Sequence, residues 1–324
     1  MGNHPLFIIH YSLFIKISTR YSLFIINYIL NIKMYYPPSE LIINPDGTCF
    51  HLHLRPDQLA DKVVMCGDPD RVNTIASFFD TRECEVSSRE FHTITGTYHG
   101  KRITALSHGI GCDNIDIVVN ELDALKNIDF TTREDKPQLS SLDLVRIGTC
   151  GGLQPNTPVG TFVCSEKSIG FEGLLNYYGN RDAICDLEFE HAFTEHLGWD
   201  YHNLPSPYVV DNDPSLLNQV YDESLGMVRG VTISCGGFYG PQGRRLRIPL
   251  ADPERNDKIC SFDWHGYRIT NFEMESAALA GLSRHLGHRA LTVCMVIANR
   301  IAHDANASYK NQIGDLIKIV LDKL

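Results

Sequence analysis

Apolar runs of strand length alternate with stretches of helical periodicity along most of the chain. The apolar runs cover residues 62–66, 103–107, 142–147, 161–165, 270–272 and 291–298. Apolar residues return every three or four positions, as on one face of a helix, in residues 70–79, 113–126, 276–286 and 312–324. This alternation predicts an α/β fold, a single domain with a mixed central β-sheet flanked by helices on both faces. In such folds the ligand lies beyond the carboxyl ends of the strands.

Residues 1–35 do not follow this pattern. They are rich in Ile, Tyr, Phe and Asn, and they carry a direct repeat, Tyr-Ser-Leu-Phe-Ile, at 11–15 and 21–25. Lys16 and Arg20 interrupt the apolar character, so no segment is long enough to cross a bilayer, and no signal-peptide or myristoylation pattern is visible. We therefore expect a poorly ordered N-terminal extension that is not necessarily part of the mature protein, followed by one domain over residues 36–324. Met34 would be a natural start.

Composition narrows the classes of partner. The chain of 324 residues has a net charge of −10 and a pI near 5.7, whereas nucleic-acid binding draws on a dense Lys/Arg surface. Nucleic acid is therefore not expected as a partner, and arginines in glycine-rich turns favour a small anion. Ten cysteines occur without a C-x-x-C pair and often inside apolar runs, which predicts reduced, buried thiols in a cytoplasmic protein. No histidine pair has a metal-ligand spacing such as H-E-x-x-H, so a histidine metal site is not expected.

Two strands lead into segments that combine an arginine with glycines. Residues 143–152, D-L-V-R-I-G-T-C-G-G, carry Arg146 and then run into a turn of small residues, and the strand over 62–66 leads into G-D-P-D-R at 67–71. A guanidinium offers a fork of donors to an oxyanion, and glycines let backbone N–H groups approach a ligand. On its own, the first motif fits a structural ion pair of Arg146 equally well. The second arginine-bearing turn shifts the balance towards an anion site.

Two further segments complete a candidate ligand site. Residues 236–244 form a glycine-rich loop with Phe238, Gln242 and Arg244, whose amide and guanidinium suit a planar heterocycle with a carbonyl–NH–carbonyl edge. Residues 271–275, N-F-E-M-E, place two carboxylates before a helix, where a carboxylate can accept hydrogen bonds from a sugar diol. The competing interpretation of residues 236–244 is a surface turn with a solvated arginine cluster. The competing interpretation of residues 271–275 is a helix N-terminus at which acidic residues are favoured by the helix dipole.

Residues 109–111, G-I-G, begin like the phosphate-binding fingerprint of dinucleotide enzymes. The sixth position is Asn114 instead of glycine, and no ribose-binding acid follows a strand about twenty residues further on. NAD binding is therefore not expected.

In combination, the motifs resemble those of the uridine phosphorylases in the nucleoside phosphorylase-I family, over residues 40–324. The segments that carry the resemblance are 67–71, 88–91, 146–149, 238–244, 271–275 and 296–300. The resemblance implies the mixed α/β fold of that family and reversible phosphorolysis of uridine to uracil and ribose 1-phosphate. It also implies inorganic phosphate as co-substrate, no organic cofactor, no membrane partner, and a homo-oligomer, dimeric or hexameric, with the dimer as its minimal active unit.

Carried over position by position, the resemblance gives each part of the ligand its residues. Phosphate falls to Gly67, Arg71, Arg146 and Thr149, with Arg89 reaching in from a neighbouring subunit. Ribose falls to Thr149, Glu273, Met274 and Glu275, with His51 of a neighbouring subunit at the 5′-hydroxyl. Uracil falls to Cys150, Gly151, Phe238, Gln242, Arg244, Ile297 and Ala298. The implied catalytic residues are Arg146, Gln242, Arg244 and Glu275.

Two positions weaken or extend this set. Cys150 stands where related enzymes often carry Thr or Ser, so a hydroxyl hydrogen bond to the ligand is in doubt there. Some relatives hold an interface cation near the glutamate equivalent to Glu90, and the sequence does not establish whether this chain does.

The competing functions are a purine nucleoside phosphorylase, a hydrolytic nucleosidase and a catalytically silent nucleoside-binding homologue. Purine-cleaving relatives and nucleosidases use an aspartate to protonate purine N7, but this chain has Asn299 followed by Arg300 in that loop, and its next aspartate is Asp304. A nucleosidase would use water and would not need three arginines around an anion. The intact arginines, together with Gln242 and Glu275, argue against a silent homologue.

Overall fold

The computed structural model describes residues 34–299, 302, 304–305 and 312–324. Its strands are β1 (Lys62–Cys66), β2 (Thr81–Ser88), β3 (Phe91–Tyr98), β4 (Lys101–Ser107), β5 (Ile128–Asp129), β6 (Glu134–Asp135), β7 (Asp143–Gly152), β8 (Phe162–Gly170), β9 (Tyr208–Asp211), β10 (Val228–Ser234), β11 (Asp263–Trp264), β12 (Tyr267–Glu273), β13 (Arg289–Asn299) and β14 (Asp304–Ala305). Its α-helices are α1 (Pro69–Ala76), α2 (Cys112–Asn127), α3 (Leu187–Leu197), α4 (Pro214–Val220), α5 (Arg255–Ser261), α6 (Ser276–His285) and α7 (Ile313–Lys323).

Five strands close into a ring. β7 is parallel to β13, β13 runs antiparallel to β8, and β8, β10 and β12 are parallel neighbours. The ring closes because the end of β12 returns to β7, where Asn271 pairs with Gly152 and Phe272 with Gly151. The sheet also continues outward from β7 through β1, β4, β3 and β2. This mixed sheet with its helices confirms the predicted fold class.

One edge of β7 changes partner along its length. The first four residues, 143–146, pair with β1, and the last two, 151–152, pair with β12. Residues 147–150 lie between these two pairings, next to the carboxyl ends of β1 and β12. A space beyond strand ends therefore opens beside β7, as expected for a ligand site in an α/β sheet.

Alternate residues of the central strands pack into two separate cores. Val64 and Val145 face the core that α1, α4 and α7 cover, whereas Val63 and Leu144 face the core that α2 and α6 cover. All four side chains are fully buried. Because successive residues of a strand point to opposite faces, a strand buried on both sides has to be apolar throughout. This accounts for the continuous apolar runs in the sequence.

The prediction of a turn after residue 147 was wrong. β7 continues through the glycines to Gly152, because β13 pairs with it along its whole length and β12 pairs with its last two residues. Both partners lie far along the chain, so the local pattern carries no sign of them. The hydrophobic pattern also does not single out β2, β3 or β10.

All ten cysteines lie in the described part of the chain without a disulfide, and six of them are buried. Among the described helices, none combines the length and apolar character that a membrane span requires. The predicted extension, residues 1–35, lies outside the described residues except for Met34 and Tyr35, so it stays a prediction.

Candidate active site

A cavity of about 750 Å³ opens at the carboxyl ends of β1, β7, β12 and β13. Fourteen residues that the sequence singled out line it: Gly67, Arg71, Arg146, Thr149, Cys150, Gly151, Phe238, Gln242, Arg244, Glu273, Met274, Glu275, Ile297 and Ala298. The other lining residues are Asp68, Pro69, Gly109, Ile110, Gly148, Phe272 and Ala305. The fourteen predicted residues come from five separate segments of the chain, and the fold brings them into one pocket.

The loop after β1 presents Gly67 and starts α1. Asp68 caps this helix, because its carboxylate accepts a hydrogen bond from the Asp70 N–H at 3.0 Å. The cap places Arg71 in the first turn, where its side chain is buried and donates to the Ile147 carbonyl at 3.1 Å. A guanidinium therefore lines the cavity beside a helix N-terminus, and both features favour an anion.

Arg146 lies at the centre of the site and is 4% exposed. Its Nη1 lies 2.9 Å from a carboxylate oxygen of Glu273, and its Nη2 pairs with Glu275. Burial disfavours the charged guanidinium, but the carboxylates of Glu275 and Glu273 outweigh it and hold the pKa of Arg146 above its ordinary value. Gly148 leaves room for this side chain, since a Cβ there would lie 2.6 Å from Nη1. Arg146 thus forms the structural ion pair and also lines the cavity.

The two carboxylates have different surroundings. Glu273 accepts hydrogen bonds from the backbone N–H groups of Glu275 and Ser276 and from two serine hydroxyls, so it anchors the N-terminal end of α6. Glu275 accepts one backbone hydrogen bond, from the Gly111 N–H at 2.7 Å. Burial raises the pKa of Glu275, and the charge of Arg146 opposes that rise. Glu273 is committed to holding the helix, whereas Glu275 has more capacity to accept a hydrogen bond from a ligand.

Residues 236–244 form the loop that follows β10. Gln242 is 2% exposed, and its side-chain oxygen accepts a hydrogen bond from Arg244 Nη1 at 2.5 Å. The Arg244 guanidinium lies 3.6 Å from the centre of the Phe238 ring and donates to the Phe238 carbonyl at 2.6 Å. Amide, guanidinium and ring are therefore linked to one another before any ligand contact is made.

The remaining wall of the cavity comes from adjacent strands β7 and β13. Ile297 and Ala298 are half-buried at the end of β13, and Cys150 is buried opposite them. Burial and the neighbouring Cys294 thiol raise the pKa of Cys150 well above its ordinary value. Cys150 consequently offers a neutral, weakly polar S–H in place of a hydroxyl.

Three sequence-predicted residues do not line the cavity. Arg89 is exposed at the tip of the β2–β3 hairpin, and its guanidinium lies 5.6 Å from the centre of the Phe50 ring. His51 adjoins Phe50, and its Nδ1 lies 2.6 Å from a carboxylate oxygen of Glu121. Glu90 is exposed. Within the described part of the chain no three His, Cys, Asp or Glu side chains cluster as metal ligands, and a cation near Glu90 stays a prediction.

Asn299 ends β13, and its side chain holds the backbone of neighbouring loops. Its Nδ2 donates to the carbonyls of Gln154 at 3.1 Å and Thr157 at 2.8 Å, and its Oδ1 accepts from the Ala302 N–H at 2.8 Å. Asp304 pairs with Asn299 between β13 and β14 and is exposed. Neither Asn299 nor Asp304 lines the cavity.

Sequence reasoning missed the contribution of the loop after β4. Gly109 and Ile110 line the cavity, and the N–H of Gly111 binds Glu275. His108, at the start of this loop, accepts a hydrogen bond from Arg146. The sequence signal for this loop is the G-I-G run at residues 109–111, directly after a strand. The run was interpreted only as the start of a dinucleotide-binding fingerprint, so its contribution to this cavity was not predicted.

Known proteins resemble this chain over most of its length. The family model of the phosphorylase superfamily matches residues 61–322. A uridine phosphorylase of Thermococcus kodakarensis is 30% identical over 80% of this chain and 80% of its own length. A purine nucleoside phosphorylase of Geobacillus kaustophilus is 25% identical over 84% of this chain and 96% of its own length. A solved nucleoside phosphorylase of Trypanosoma brucei, described as showing uridine phosphorylase activity, aligns with a TM-score of 0.80 and 28% identity over 88% of this chain and 99% of that one.

Proposed function

Because the chain belongs to the phosphorylase superfamily, we propose that it is a uridine phosphorylase. It is a pentosyltransferase that converts uridine and phosphate reversibly to uracil and ribose 1-phosphate, in the catabolism and salvage of pyrimidine nucleosides. The observation that carries the proposal is one cavity that unites two buried arginines, a carboxylate and the Gln242–Arg244 pair. Phosphate is the co-substrate in this reaction, which requires no organic cofactor.

Phosphate binds between the ends of β1 and β7. The Gly67 N–H, Arg71, Arg146 and Thr149 of the same chain hold it, and the two guanidiniums supply forked donors to its oxygens. Arg71 stands at a helix N-terminus, which adds to the attraction for a dianion. The phosphate oxygens are thereby fixed beside the sugar.

Ribose lies over the segment that joins β12 to α6. Glu275 accepts hydrogen bonds from the sugar hydroxyls, Met274 packs against the ring, and Thr149 and Glu273 lie at the same wall. Glu275 suits this role because Gly111 and Arg146 orient its carboxylate from one side. Holding the sugar in this way places C1′ towards the phosphate.

Uracil binds at the loop of residues 236–244. Gln242 and Arg244 face its carbonyl–NH–carbonyl edge, and Phe238 lies against its ring. Since the Arg244 guanidinium covers the Phe238 ring, uracil stacks there once that guanidinium moves to the edge of the base. Cys150, Gly151, Ile297 and Ala298 complete the pocket.

The reaction follows from where charge develops. A phosphate oxygen forms a bond to C1′ as the C1′–N1 bond breaks, and the bonding electron pair leaves with uracil. Negative charge then grows on the uracil carbonyl oxygens, and Arg244 and Gln242 stabilise it by donating hydrogen bonds. No acid is needed at the base, because the electron pair of the broken bond is delocalised onto the carbonyl oxygens that Arg244 and Gln242 stabilise.

Purine nucleosides are the second substrate class to consider, because purine phosphorylases are among the relatives. Asn299 lies in the strand-end segment where purine-cleaving relatives carry the aspartate that protonates N7, and its side chain is bonded to the Gln154 and Thr157 carbonyls. An asparagine in place of an acidic side chain in this segment therefore supports a pyrimidine substrate.

Purified enzyme is expected to release uracil from uridine only when phosphate is present. We expect kcat/KM for uridine to exceed that for inosine by on the order of 100-fold or more, because a site with fixed polar partners for one base rejects another. Coupled assays of both nucleosides, with and without phosphate, measure this. Comparable cleavage of inosine, or cleavage without phosphate, would refute the proposal.

The site is proposed to be shared between two copies of the chain. Arg89, Phe50 and His51 form a patch outside their own cavity, with Arg89 exposed at a hairpin tip. Twofold symmetry would let each copy supply this patch to the other's cavity, so that Arg89 becomes the third arginine at phosphate and His51 meets the ribose 5′-hydroxyl. The free cysteines support a cytoplasmic location.

Complementation between subunits tests this sharing. Arg89→Ala and Arg244→Ala homo-oligomers are each expected to be strongly impaired, because every site carries one defect. In a mixed dimer one site carries both defects and the other carries neither, so up to half of the native activity should return. Co-expression with two different affinity tags isolates the mixed species. Mixed dimers that stay as inactive as both parents would rule out the shared site.

A further inference from the structure

His108 is a fully buried histidine directly behind the phosphate site. It follows β4, and its backbone N–H donates to the Cys66 carbonyl at 2.8 Å, which ties it to the residue before Gly67. Its side chain accepts a hydrogen bond on Nε2 from Nε of Arg146 at 3.2 Å. It does not line the cavity, so any action on a ligand passes through Arg146.

The partner fixes the form of this imidazole. Arginine can only donate, so Nε2 must be unprotonated and the ring carries its proton on Nδ1. Burial, together with the charges of Arg146 and Arg71, keeps the pKa of His108 well below its ordinary value, against a smaller opposing effect of the Gly109 carbonyl. His108 is therefore neutral.

The hydrogen-bonding capacity of this ring is directed at Arg146. Nδ1 of His108 forms no hydrogen bond of good geometry with the described residues, and the Gly109 backbone has only a minor effect on the imidazole. The bond from Arg146 is thus the one side-chain hydrogen bond found for His108 in the described chain. Nε2 of His108 therefore serves as the acceptor for Arg146.

We infer that His108 is a positioning residue of the phosphate site, which fixes the plane of the Arg146 guanidinium as a neutral acceptor. Glu273 and Glu275 hold the two terminal nitrogens, and His108 holds the third, so the guanidinium cannot turn about its long axis. The inference rests on the proposed phosphorolysis, because it concerns the orientation in which Arg146 meets phosphate.

The neutrality of His108 matters as much as its hydrogen bond. Two carboxylates already surround the single charge of Arg146. A third carboxylate at position 108 would offer the same hydrogen bond but would repel an incoming phosphate dianion. An imidazole with a low pKa orients the arginine and leaves its positive charge available to the ligand.

Three substitutions separate these effects. His108→Leu removes the acceptor, His108→Gln keeps a neutral acceptor, and His108→Glu supplies a charged one. We expect the Leu variant to raise KM for phosphate by about 10-fold or more, as for loss of a hydrogen bond to a charged group, with KM for uridine little changed. The Gln variant should stay close to the native KM for phosphate. The Glu variant should exceed the Leu variant in its KM for phosphate.

Folding is followed by melting temperature, and phosphate binding is followed without turnover by the rise in melting temperature that phosphate produces. His288→Leu is the matched control, because His288 is buried and accepts from the Leu142 N–H far from the cavity. It should lower stability without changing KM for phosphate. Equal KM values for phosphate in the Leu and Gln variants, or recovery by Glu as complete as by Gln, would overturn the inference. If native protein fails to cleave uridine with phosphate, the proposed function fails instead.

Discussion

Replacement of Arg146 by alanine is expected to remove nearly all phosphorolysis, with a loss on the order of 1,000-fold in kcat/KM for phosphate. Arg146 is the guanidinium at the centre of the cavity, bonded to Glu273, Glu275 and His108. Its loss removes the guanidinium fork proposed to bind phosphate and leaves two buried carboxylates without their counter-charge. Breaking such a buried pair also costs about 3–5 kcal/mol of stability, so the melting temperature should fall by several degrees.

Two further variants make this result interpretable. Arg146→Lys keeps the charge but loses the fork, so it should stay folded and still lose saturation by phosphate. Arg289→Ala removes another arginine of the sheet. The Nη2 atom of Arg289 lies 2.6 Å from a carboxylate oxygen of Asp143, the first residue of β7. It should reduce stability modestly and leave kcat/KM unchanged. Native phosphate kinetics in Arg146→Lys would contradict the role of the fork.

Arg244→Ala is expected to lower kcat for uridine by on the order of 100-fold while leaving KM for phosphate nearly unchanged. Arg244 bonds to Gln242 and to the Phe238 carbonyl, on the side of the cavity proposed for the base. In the proposed reaction its charge acts on the departing uracil. Because a base that leaves more readily needs less stabilisation, the defect should shrink with 5-fluorouridine.

The neighbouring Arg245 supplies the control for this variant. Arg245 is exposed, is absent from the cavity wall and has the same side chain, so Arg245→Ala should retain native kcat. Steady-state kinetics with uridine, 5-fluorouridine and varied phosphate distinguish the two arginines. An equal defect on both nucleosides, or a rise in KM for phosphate like that of Arg146→Lys, would show that Arg244 does not stabilise the leaving base.

Sequence alone predicts the buried strands whose residues are mostly apolar. β1 and β13 were visible for this reason, and the alternating helices gave the α/β class, whereas β3 and β10 are largely buried but contain several Thr, Ser or Gly residues. β2 escaped because it is largely exposed and polar. The full extent of β7 escaped because glycines carry no hydrophobic signal and its partners β12 and β13 lie far along the chain.

The cavity wall was predictable where a residue's chemistry is unusual for its place in the sequence. Arginines beside glycines and carboxylates before a helix stand out, and the fold brings Arg71, Arg146 and Glu275 to one cavity. His108 did not stand out, because its role depends on a contact with a strand 38 positions away. The stacking of Arg244 on Phe238 was also not predicted, since loop conformation depends on contacts that no pattern encodes.

The position of β13 constrains how the chain folds during synthesis. It is the last long strand of the described chain to leave the ribosome, yet it lies between β7 and β8, which emerge much earlier. Until β13 arrives, both of those strands carry unpaired backbone edges, and the ring of five strands cannot close. A nascent chain therefore acquires its binding geometry only after residues 289–299 have been synthesised, and a product that stops before residue 289 keeps two open edges through which it can aggregate.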